Sequence, residues 1–231
     1  MDFLFWLVLI LLSLGVGGSL YGFGEWFYHG RRNLPILLWS VGLLGLNWYQ
    51  VPTLIALSSK SAVVLSNFNP LFSLALPVAF LGFELIYLGG LFTISKVKRQ
   101  TVISLTAWFV ASVLYYGFYY RMGETFQTVW PVLGSNLLFF APIFALNLSA
   151  AVAMHRRAVL SGNRRHKLGA LLYAFASCCG LARTGLSLFF GLVYPPQFAA
   201  LRFFSPSFIV AQLAGLAIFL LSFWLLHKDG K

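Results

Sequence analysis

Glu84 and Arg183 are the only acidic or basic side chains set well inside long apolar stretches of this sequence. Ionisable groups at membrane depth usually face a bundle interior and pair there, and by default they mark a functional site. At 1.5 Å per helical residue, Glu84 falls about 20 Å below the outer end of its stretch and Arg183 about 15 Å below the outer end of its own. A long arginine side chain bridges that difference, so an ion pair is predicted: a ligand or ion site, a switch built on a breakable pair, or a salt bridge locking two helices. Asn47, Gln50, Asn136 and Gln212 fall about 8 to 15 Å below the same surface. They predict a cavity open to the outside, lined by amides and floored by Arg183 and Glu84, suited to a small anionic or zwitterionic ligand. The competing reading of each amide is an interhelical hydrogen bond worth about 0.6 to 2 kcal/mol.

Other chemistries lack their residues. The sequence has no His-Glu-x-x-His, no Gly-x-Ser-x-Gly, no phosphate-binding loop and no Cys-x-x-Cys. No catalytic residue, metal ligand or cofactor is therefore assigned. His29, His155, His166 and His227 all fall beside spans on the basic side, too shallow to hold a haem between helices. The last apolar stretch has no lysine for a retinal Schiff base, and Cys178 and Cys179 sit inside an apolar stretch as small packing residues. Lipid chemistry using Arg183 and the two cysteines would lack a histidine base at matching depth.

The elements that must position these side chains are membrane spans. Of 231 residues, 60% are hydrophobic and 9% charged, against roughly 25% charged in an ordinary soluble domain. Mean hydropathy is +0.85. A water-soluble globular protein is excluded, and an all-α bundle of seven transmembrane helices is predicted over about 3–24, 34–57, 71–95, 101–120, 129–154, 168–193 and 207–226. With no internal repeat or linker, the chain reads as one domain, 1–231.

A net charge of +11 would suggest nucleic acid in a soluble chain, but here the charges sort by side. Arg31, Arg32, Lys96, Lys98, Arg99, Arg156, Arg157, Arg164, Arg165, Lys167, Lys228 and Lys231 fall on one side; Lys60, Arg121 and Arg202 fall on the other. This bias predicts an outside N-terminus, a cytoplasmic C-terminus and no nucleic-acid partner. Asp2 before the first span, with no basic residue ahead of it, makes that span a retained anchor rather than a cleaved signal. Trp48, Tyr49, Tyr115, Tyr116, Tyr119, Tyr120, Trp130 and Tyr194 are expected in an outer aromatic belt, and Trp26, Tyr28, Trp39, Tyr173 and Trp224 in an inner one.

Gly18 and Gly22 make a small-xxx-small face for close helix packing, within the chain or between protomers. Pro52, Pro77 and Pro142 fall inside spans, where they can kink helices. The basic stretch from His155 to Lys167 is either an anchor beside anionic headgroups or a docking patch for an acidic cytoplasmic protein. The sequon at Asn147 lies inside a span, beyond the reach of glycosylation.

The layout resembles the seven-helix sensor region at the N-terminus of some bacterial histidine kinases. The likeness rests on the outside N-terminus, Arg31-Arg32, the basic turn from Lys96 to Arg99, the basic loop from His155 to Lys167, and a last helix ending Phe223-Trp-Leu-Leu-His-Lys228. It implies ligand or membrane-state sensing passed through the seventh helix. No kinase domain follows Lys231, so the signal is expected to pass to a separate protein partner. The leading expectation is thus a non-enzymatic, receptor-like sensing module of a bacterial or archaeal inner membrane. The alternatives are an accessory subunit of a larger membrane complex, whose lateral surface the 24 phenylalanines would supply, or a small transporter or channel. An odd number of spans without a visible repeat speaks against the last.

Overall fold

The computed structural model describes residues 3–28, 33–59, 68–121, 133–193 and 206–227. The described residues form α1 (Phe3–Tyr28), α2 (Leu34–Trp48), α3 (Gln50–Ser59), α4 (Phe68–Ile94), α5 (Arg99–Arg121), α6 (Ala141–Leu160), α7 (Arg164–Val193) and α8 (Pro206–His227). Counting α2 with α3 as one span, seven helices are long and apolar enough to cross a membrane. Most outrun the stretches expected from hydropathy. One example is α7, which begins at Arg164, where Asn163 Oδ1 accepts from the Arg165 and His166 amides at 3.1 and 3.0 Å and caps the helix start.

Two prolines reshape their spans. The expected second span, 34–57, is interrupted at Tyr49, next to Trp48, whose carbonyl has no i+4 donor because Pro52 lacks an N–H. Ahead of Pro142 a π-helical turn covers Asn136–Phe140. Pro142 cannot donate to the Leu138 carbonyl, and Trp108 Nε1 of α5 does so instead at 3.2 Å.

Spans that follow one another in the chain pack antiparallel, as α1 does on α2 and α2 on α4. Gly42 and Gly45 of α2 meet Gly82 of α4 so closely that a Cβ on Gly42 would stand 2.6 Å from the Gly82 carbonyl oxygen. Ser19 of α1 donates to the Ser40 carbonyl of α2 at 2.7 Å, and Ser222 of α8 donates to the Gly169 carbonyl of α7 at 2.8 Å. The extensive contacts run α1–α2, α2–α4, α4–α6, α6–α7, α7–α8 and α8–α1, which closes a ring. Outside that ring lies α5, against α4 and the α6 region. Gly18 faces Leu220 of α8, and Gly22 faces Ser40 of α2 and Phe223 of α8. The small-residue face of α1 therefore closes the ring.

The core departs from the expected aromatic belts. Trp39 and Tyr173 are buried, as are Tyr49 and Tyr116, whereas Trp48 and Tyr28 are exposed as an interfacial position requires. Trp39 packs on Tyr173, Phe219 and Phe223 with ring centroids 5.0 to 5.5 Å apart, plugging the ring across α2, α7 and α8. Hydropathy places an aromatic at an axial level, but the helix's rotation decides whether it faces lipid or a neighbour. Trp130 and Tyr194 lie outside the described residues, as do Arg31, Arg32, Lys60, Arg202, Lys228 and Lys231.

Candidate functional site

Inside the ring, on one side of the Trp39 plug, lies a cavity of about 130 Å³ to which α1, α2, α3, α4, α6, α7, α8 and the π-helical turn contribute. No α5 residue lines it among the described residues. Five of the six side chains expected at the site do: Asn47, Gln50, Asn136, Arg183 and Gln212.

Arg183 projects from α7 toward α8. With its amide oxygen turned to the guanidinium, Gln212 accepts from Arg183 Nε at 3.2 Å and Nη2 at 2.6 Å. The Gln50 amide reaches the Gln212 amide at 3.4 Å, and the contact joins a donor to an acceptor when Gln50 presents its oxygen. Asn136 donates to Ser187 Oγ at 3.0 Å, tying the π-helical turn to α7. The π turn places this amide: one residue of extra backbone in the turn re-aims the side chain, a common device at functional positions. Asn47 donates to its own helix at the Leu43 carbonyl, 2.6 Å away, and faces Gly15 of α1.

Glu84 is brought to a different place. It is 2% exposed but does not line the cavity, and the Arg183 guanidinium meets Gln212 rather than Glu84. The cavity stripe of α4 is Leu76, Ala79, Phe83 and Ile86. At 3.6 residues per turn Glu84 lies about 120° around the helix from it, on the side where Phe80 packs against Trp108 of α5. Its Oε1 is buried without a hydrogen-bond partner. The expected pair had the right depth and the wrong rotation, since axial rise follows from residue number while rotation follows from packing.

Sequence reasoning missed the deeper lining. Tyr173 Oη donates to Asn147 Oδ1, and Asn147 Nδ2 donates to the carbonyls of Ile143 at 2.8 Å and Phe83 at 3.4 Å. A polar residue inside an apolar stretch was the available cue at Asn147. Of the two cysteines, Cys178 is exposed and Cys179 lines the cavity. No group of His, Cys, Asp and Glu able to hold a metal occurs among the described residues.

The basic stretch is partly engaged in structure. Arg157 donates to the last carbonyls of α4, Ile94 and Thr93, and the Arg165 guanidinium stacks 5.1 Å from the Trp224 ring centroid. Gly162, at φ +70°, supplies the left-handed residue that ends α6 before Asn163 starts α7. Comparison with known proteins adds no relative: no family model, curated protein or solved structure matches the chain.

Proposed function

We propose that this chain is a receptor-like sensing module of a bacterial or archaeal inner (plasma) membrane, with its N-terminus outside and C-terminus in the cytoplasm. Its cavity takes a small anionic or zwitterionic ligand at Arg183. The observation that carries the reading is the convergence of Arg183, Gln212, Gln50, Asn136 and Asn47, from separate elements, on one cavity within a bundle of apolar helices. A guanidinium prefers planar oxyanions, which it grips with two parallel N–H donors.

Charge placement supports the orientation. Eight of the ten described Lys and Arg residues, Lys96, Lys98, Arg99, Arg156, Arg157, Arg164, Arg165 and Lys167, gather where α4 and α6 end and α5 and α7 begin, with Arg121 at the far end of α5 and Arg183 inside the bundle, the arrangement that cytoplasmic loops favour. The amide-rich half of the cavity lies toward the opposite end. A ligand arriving from outside would act on the α7–α8 pair that Gln212 and Arg183 join, and α8 carries the change toward the C-terminus, as the likeness to kinase sensor regions implies.

Native mass analysis of the gently solubilised chain tests this. Retention of a small anionic molecule that Arg183→Ala loses, with the fold intact, is expected. An Arg183→Ala protein that is merely less stable, with no lost ligand, refutes the site. A second reading, an accessory subunit, is favoured by α5, which stands outside the ring with Val110, Val113, Leu114 and Phe118 exposed. Stoichiometric co-purifying membrane proteins would favour it.

A further inference from the structure

The cavity has its charged side chain at one end only. Near Arg183 the lining side chains bond one another across helices: Arg183 to Gln212, Gln212 to Gln50, Asn136 to Ser187. Toward the Trp39 plug the polar side chains turn inward on backbone or on each other. Ser177 donates to the Tyr173 carbonyl at 2.9 Å. Asn147 is occupied by Tyr173 and two carbonyls. With those groups engaged, the apolar walls of the deeper half are Phe83, Ile86, Phe144, Leu216 and Phe219.

Charge has the same asymmetry. Among the described residues the lining contains Arg183 and no Asp or Glu. From Arg183 to Tyr173 the cavity follows ten residues of α7, about 15 Å of axial rise. A purely polar ion would fill the head of this space and leave the apolar walls facing water, which is unfavourable in proportion to their area.

We propose that the ligand is a single-chain amphiphilic carboxylate, its acid group on Arg183 and Gln212 and its hydrocarbon tail directed along α7 toward Phe219 and the Trp39 plug. This deepens the ligand-binding reading above and rests on it. A single tail matches the one course of about 15 Å that the lining follows along α7. The deeper walls select for the tail by area buried, and the guanidinium selects the anionic head over an alcohol or an ammonium.

The test is the thermal stability of the full chain in phosphatidylcholine nanodiscs with four probes: decanoate, acetate, decanol and decyltrimethylammonium. A ligand that binds only the folded chain raises its melting temperature with concentration. Decanoate alone is expected to do so. Arg183→Ala is expected to weaken decanoate at least about tenfold; Arg183→Lys serves if the alanine variant does not fold, with a smaller loss. Ala176→Phe, which fills the apolar half, is expected to abolish the decanoate shift. If acetate matches decanoate and Ala176→Phe changes nothing, the amphiphile class is wrong while the anion site stands. If a two-chain phosphatidate displaces decanoate with equal potency, the single-chain assignment is overturned. If no anion gives a shift that depends on Arg183, both the amphiphile and the site fall.

Discussion

Glu84 and Arg183 differ in what their surroundings ask of them. The guanidinium has an amide oxygen directed at it and a cavity beside it; the carboxyl is buried away from the cavity with Oε1 unpartnered. Breaking a buried ion pair by removing one partner typically costs about 3–5 kcal/mol, whereas a buried carboxyl without a pair carries a desolvation cost that a neutral amide of the same shape does not add to. Glu84→Gln is therefore expected to leave the melting temperature unchanged or raised, and to leave any ligand shift intact; a loss of several kcal/mol would reinstate the pair with Arg183. Tyr173→Phe removes one interhelical hydrogen bond to Asn147. Its expected cost is about 0.6 kcal/mol, and below about 2, read from unfolding in mixed micelles.

The elements show two ways of handling a disturbed backbone within a membrane. Where Pro142 withholds a donor, α5 supplies one through Trp108, which with Tyr115 and Tyr116 also packs α5 on the rest of the bundle. Trp108→Phe should cost about 1–3 kcal/mol by orphaning the Leu138 carbonyl. In a Pro142→Ala background, where the helix has its own N–H again, the same substitution should cost less; equal losses in both backgrounds would refute the compensation. Where α2 crosses α4, glycines permit backbone contact, and a Cβ on Gly82 would lie 2.6 Å from the Leu46 nitrogen. Backbone cannot yield as a side-chain tip does, so Gly82→Ala is expected to destabilise by about 1–3 kcal/mol. Gly117→Ala on α5, with nothing within 4 Å of the new Cβ, is the matched control and should not destabilise.

At the scale of the whole molecule, the ring of six contacts creates the cavity and its closure depends on α1. Gly22 sits where α1, α2 and α8 meet, and a Cβ there would stand 2.8 Å from Phe223 Cζ as well as against Ser40. Gly22→Leu should push α1 off both partners. Because Leu11 of α1 lines the cavity, ligand binding and thermal stability are expected to fall together, whereas Gly117→Leu at the periphery should disturb neither. A Gly22→Leu protein with wild-type melting would show that α1 does not close the ring.

Much of this architecture is already present in the chain's one-dimensional pattern. A low-dielectric bilayer leaves no alternative to long apolar helices for chains of this composition, so the seven spans and their alternating directions follow from hydropathy and loop length. Axial depth follows as well, because helical rise is constant; hence Asn47, Gln50, Asn136, Arg183 and Gln212 were legible as neighbours in level. Rotation about each helix axis is not encoded so simply. All faces of these helices are apolar, and lipid and protein interior reward them alike, so periodicity carries little information about which side faces inward. Only the packing of glycine against glycine, the proline-shaped turns and the aromatic plug decided that Arg183 meets Gln212 while Glu84 is buried outside the cavity, and that Trp39 and Tyr173 close a cavity rather than anchor an interface.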